Sequence, residues 1–194
     1  MGRSVLMGIM FAAGAGFIAA VVLLSSGNRS SVSQSAAYAI PGLPSMTVQA
    51  AHGAFHRLTP ALLLVVYDAF GRTQEDEIYD TLAAVTDGDA LEYLYLERVG
   101  AMAGGGLEEG DQTIHEINLL SSAVQRDGAV LTIDAVWQVI GTVGHAEHLH
   151  VRGNTYSADL TVAPVDGAWK ITEFALLDVT RDAAGETFLA PETN

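Results

Sequence analysis

The chain is predicted to be α+β, and three features predict it. Between Thr47 and Ala103 apolar residues recur at helical spacing, from Thr113 onward they alternate, and aspartate-glycine pairs punctuate the alternating part. Helices first and strands after imply separate layers rather than interleaved βαβ units. The expected architecture is an N-terminal transmembrane helix, then about three helices packed on a bent four-stranded antiparallel meander.

Each element has a local reason. Val5 to Leu24 is an uncharged apolar run, close to the roughly 20 residues needed to cross a hydrocarbon core as a helix. Residues 1–25 are read as an anchor, with Arg3 on the cytoplasmic flank and the acidic remainder outside. This places the protein in a bacterial inner membrane, single-pass, with a periplasmic domain. A cleaved signal ending at Ala37-Tyr38-Ala39 is the alternative. Residues 26–46, rich in serine with Pro41 and Pro44, read as a tether. The domain spans 47–181, and 182–194 form a tail.

Val48, Ala51, Phe55 and Leu58 open a helix that either kinks near Pro60 or gives way to a second one ending at Gly71. Thr73, followed by Glu75, Asp76 and Glu77, starts another, with acids on the positive end of the helix dipole. A third covers roughly Asp89 to Ala103 before Gly104-Gly105-Gly106. Strands are expected at 113–125, 129–143, 148–163 and 169–180, with turns at Asp127-Gly128 and Asp166-Gly167 and a four-residue tip at 144–147.

Composition narrows function. Seven of the nine basic residues and all 23 acidic residues lie after Arg29, so the domain repels nucleic-acid backbones, and no nucleic-acid partner is expected. The chain has no cysteine, which excludes disulfides and thiolate chemistry.

The segment VGHAEHLHVRGNTY from Val143 to Tyr156 concentrates polar chemistry on one hairpin. A four-residue tip pairs Val139 with Arg152 and Trp137 with Asn154 on one face, and a turn at Asp127-Gly128 adds Glu116 and Asn118 to it. Glu116, Asn118, Trp137, Arg152, Asn154 and Tyr156 are thus candidates for a ligand pocket on the sheet. His148 and His150, two apart on one strand face, with His145 at the tip, are candidate ligands for zinc, copper or nickel. Otherwise no cofactor is expected, and the chain carries no nucleophile elbow, phosphate loop or paired-carboxylate motif for catalysis. The opposite face offers Ile140, Leu149 and Val151, and the last strand is apolar on both faces through Phe174 and Leu176. Together these are a candidate interaction face.

Leading helices, a bent meander and the closing strand VAPVDGAWKIT resemble the cone-shaped nuclear transport factor 2-like fold. The run WQVIGTVGHAEHLHVRGNTY also resembles an uncharacterised bacterial exported domain. The first resemblance implies a superfold that hosts enzymes, ligand-binding proteins and membrane-anchored periplasmic scaffolds, and the single-span topology is most similar to the last. The function expected is therefore a membrane-tethered periplasmic accessory or scaffold domain, assembling with an inner-membrane protein complex or as a homo-oligomer. A periplasmic metal-binding protein and a small-ligand-binding, hydrolase-like or isomerase-like enzyme are the alternatives.

Overall fold

A computed structural model describes residues 36–103, 112–145, 148–181 and 187–189 of the chain. Side-chain placement is described at all of these except 112, 113, 115, 143–145, 148–152 and 187–189.

Thr47 caps the first helix: its side chain accepts from Ala50 N at 3.2 Å and starts α1 (Val48–Gly53). The backbone breaks at Ala54 (φ −116, ψ 24), upstream of Pro60, and α2 (Phe55–Phe70) follows as a second helix. Pro60 sits inside α2, where it lacks the N–H that would bond one turn back, and Thr59 Oγ1 donates to Phe55 O at 2.9 Å in that turn. α2 buries Leu58, Leu62, Leu63, Val66 and Ala69, the stripe that helical spacing prescribes. α3 (Glu75–Ala83) carries its acids in the first turn and buries Ile78 and Leu82. Gly88, at φ +55, turns the chain into α4 (Gly88–Ala103).

The sheet departs from the expected four-stranded meander. Among the described residues six strands lie in the order β2-β1-β6-β5-β4-β3, and a short β7 (Thr187–Leu189) also pairs with β5. The strands are β1 (Ala37–Ile40), β2 (Leu43–Thr47), β3 (Gln112–Asp127), β4 (Val130–His145), β5 (His148–Val165) and β6 (Ala168–Arg181). The parallel contact of β1 with β6 makes the sheet mixed. The two added strands come from the stretch expected as a tether. There Gly42, at φ +69, closes a hairpin too short to display alternation. Trp169 holds that hairpin in place: its Nε1 donates to Met46 O at 3.0 Å and its ring meets Tyr38 edge-on at 5.7 Å. β7 likewise falls in the stretch expected as a loose tail.

Alternation along β4 buries Leu131, Ile133, Ala135 and Trp137 while Thr132 and Asp134 face solvent, and β5 answers with Ala158, Leu160 and Val162. The helices cover this face, giving one core with Trp169 and Ile171 of β6. Register shifts in β3 and between β5 and β6 bend the sheet around it.

The transmembrane expectation is corrected. Among the described residues no helix is long and apolar enough to cross a membrane. Val5–Leu24 lies outside the described residues, so the inner-membrane location built on it is withdrawn.

Candidate functional site: an aromatic cleft

Where α2 and α4 cross the sheet, their side chains leave a cavity of about 220 Å³. α2 contributes Leu63, Val66, Tyr67 and Phe70, α4 contributes Tyr93, Leu94 and Glu97, and the sheet contributes Trp137, Tyr156, Phe174, Leu176 and Val179. The residues of α2 recur at three- and four-residue intervals because one helical face meets the sheet. Those of the strands share one face through register: Trp137 lies opposite Tyr156, Tyr156 opposite Val179, Ala158 opposite Leu176 and Leu160 opposite Phe174.

The aromatic rings lock one another in place. Trp137 stacks on Tyr156 (5.6 Å, 16°) and meets Phe174 edge-on (6.4 Å, 78°), and Phe174 stacks on Tyr93 (5.9 Å, 19°). Trp137 Nε1 donates to Tyr67 Oη at 2.9 Å, which satisfies an indole N–H that is otherwise buried. Burial pushes the Tyr67 phenol well above its ordinary value, so it stays protonated at neutral pH. Among the described residues its own proton has no acceptor. Asn154 Nδ2 donates to Tyr156 Oη at 3.3 Å. Exposed Glu97 is the one carboxylate among the residues that line the cleft. Such an arrangement has the shape and lining to accept an apolar or aromatic group, and offers a protonated phenol and one anionic group at its margin.

Six sequence-predicted pocket residues therefore separate. Trp137 and Tyr156 line the cleft, and Asn154 supports Tyr156. Trp137 pairs with Tyr156 rather than Asn154, and Val139 with Asn154 rather than Arg152, because the ladder continues to His145 opposite His148 and shortens the tip to two residues. That shift of two preserves the face, so Arg152, opposite Gly141, keeps the parity of Trp137; its side chain lies outside the described residues. Glu116 and Asn118 are corrected to the other face. A register shift between Leu119 and Ser121 sets Asn118 against Gln138 and Glu116 against Ile140, leaving Ile117 and Leu119 beside Val139 and Trp137.

The backbone places His150 opposite Val143, while the side chains of His145, His148 and His150 lie outside the described residues. Among the described residues no group of three histidine, aspartate or glutamate side chains could hold a metal ion. Of the expected interaction face, Phe174 and Leu176 lie on the cleft side of the sheet. Half-buried Ile140 is on the other side, and the side chains of Leu149 and Val151 are outside the described residues. Tyr67, Phe70, Tyr93 and Glu97 were not legible as site residues. The available signal was Tyr67 and Phe70 continuing the Leu63/Val66 stripe, a polar-tipped ring inside an apolar face.

No family model matches the chain, and no curated protein does. Among solved structures the chain is similar to the crystal structure of the intermembrane space region of chloroplast protein ARC6, at 25% identity over 69% of this chain and 98% of that one, with a TM-score of 0.43. A superposition at that score transfers neither fold nor function.

Proposed function

We propose that the domain is an accessory docking module that holds a partner protein by an apolar side chain seated in the aromatic cleft. The observation that carries this is the cleft itself. Its volume of about 220 Å³ is below the roughly 300–1,000 Å³ of pockets that enclose drug-sized ligands, and it suits one large side chain. Its rim includes Leu176 and Val179, which are 41 and 44% exposed. Apolar side chains left on a rim in this way commonly find cover on another protein. Burying one phenylalanine-sized anchor contributes about 1.5–3 kcal/mol, less than the roughly 4 kcal/mol of a millimolar complex. The rim must therefore supply further contacts. Helices packed inside a bent sheet also support assigning the domain to the nuclear transport factor 2-like superfold, a proposal at the level of fold alone.

The Tyr67 hydroxyl accepts from Trp137 while its own proton has no acceptor among the described residues, which favours a second reading, a small aromatic ligand bearing a hydrogen-bond acceptor. Photo-cross-linking from Leu176 of the full-length protein in its own cell separates the two. Docking predicts a discrete protein adduct from Leu176 and none from the exposed control Leu64 on the outer side of α2. Adducts in equal measure from both positions, or from neither, would overturn it.

A further inference from the structure

We infer that the docked partner is an extended amphipathic polypeptide segment, apolar on one face and lysine- or arginine-bearing on the other, that adds as the next strand along the outer edge of β6 beyond Ile171. The inference rests on the docking reading above and names how the partner binds. The first observation is an open hydrogen-bonding edge. Among the described residues β1 pairs with β6 at Ala168 alone, and Thr86 bridges Ile171, with Ile171 N donating to Val85 O and Asp87 N to Ile171 O, both at 2.9 Å. From Thr172 to Arg181 no described residue pairs with the outer side of the strand.

The direction of the free groups follows from register. Ile171 turns its N–H and C=O away from β5, so Val162 opposite it turns toward β4. The β4–β5 ladder is unbroken, so Leu160 and Ala158 turn the same way. Their partners Phe174 and Leu176 therefore present backbone N–H and C=O outward, with no partner among the described residues. A small molecule or a helix does not answer such a row of alternating donors and acceptors. A second strand does.

The faces specify the side chains. On the cleft side an added strand would lie beside Leu176 and Val179, with the cavity within reach of one large apolar group. On the other side lie exposed Glu173 and Asp178, with Asp134 and Asp159 facing each other across β4 and β5. Opposite charges on neighbouring strands attract, so cationic side chains of a partner would pair with Glu173 and Asp178 on the adjoining β6 and lower the acidic charge of that face. A second copy of this chain would bring a net charge of −14 to the same acidic face, which disfavours it as the occupant.

The probe is a heptapeptide alternating lysine and valine with phenylalanine at its central apolar position, added to the full-length protein. Two further versions carry N-methyl groups either on the apolar residues or on the lysines, since each set of amides lies along one edge of the peptide. Strand addition predicts that amide exchange at Phe174 and Leu176 slows by about tenfold or more on binding. It also predicts that one methylated version binds about tenfold weaker while the other binds as the parent does, because only one edge meets β6. Equal binding of all three, with Phe174 and Leu176 unprotected, overturns strand addition and leaves side-chain docking standing. No binding of the peptide while Leu176 still yields its protein adduct overturns the basic-strand partner alone. Loss of that adduct as well overturns the docking reading.

Discussion

Tyr67 and Trp137 bear most of the cleft's integrity, because each satisfies a polar group the other would leave buried. Replacing Tyr67 by phenylalanine keeps the ring and strands the Trp137 indole N–H, which is expected to cost about 1–3 kcal/mol. Urea denaturation of the full-length variant checks this, and an unchanged midpoint would remove the hydrogen bond from the account. The same residue predicts alkaline behaviour. An unfolded tyrosine ionises near its ordinary 10.0, whereas burial keeps folded Tyr67 protonated to higher pH. Its contribution to stability is thus complete below pH 10 and declines as pH rises through the folded value. Wild type should lose stability more steeply above pH 10 than Tyr67→Phe, measured by denaturation midpoints across that range.

Arg98 sets a different balance. Only 7% exposed, it donates to Arg72 O at 2.6 Å at the C-terminal end of α2, and burial lowers its pKa. A cation there favours the helix dipole, yet its Nε has no partner among the described residues. Arg98→Ala should destabilise by about 1–3 kcal/mol through the freed carbonyl and lost packing, read in the same denaturation assay. None of this was legible in the sequence, where Arg98 is simply a charge on a helix.

At the scale of elements, turn chemistry was the most legible signal and register the least. Asp166 and Gly167 take φ +48 and +83, the paired positive values of a type I′ turn that aspartate-glycine announces. Gly167→Ala meets no neighbouring atom, so its expected cost of about 1–2 kcal/mol is purely conformational. Gly100, equally unobstructed inside α4 with no positive φ, should instead gain about 0.5–1 kcal/mol as alanine. Thermal denaturation of the two variants should shift in opposite directions. The first hairpin shows the limit of dipeptide reading. There Gly128 alone takes a positive φ, +58, Asp127 joins the ladder opposite Val130, and the loop is Gly128-Ala129. The face of Glu116 and Asn118 then hangs on one extra residue at Leu120, 56% exposed, which no periodicity marks in advance.

For the whole molecule, the class α+β and the covering of one sheet face by helices were legible because they follow from where each period begins. The six-strand order was not, since β1 and β2 are placed by long-range contacts, Trp169 on Met46 and Ala39 N on Gly167 O, in a stretch whose serine and proline content imitates a linker. Trp137 and Tyr156 were legible as neighbours because a two-residue error in register leaves the face unchanged. Tyr67, Tyr93 and Glu97 were not, because the sequence does not say which helix lies over which strand. The central claim is that this cleft accepts an apolar group, and the indole N–H resonances test it most directly. With p-cresol as a side-chain probe, the Trp137 resonance, assigned from Trp137→Phe, should shift saturably while that of Trp169, buried beside Met46, stays fixed. Two resonances that move together in proportion to probe, or neither moving, would contradict it.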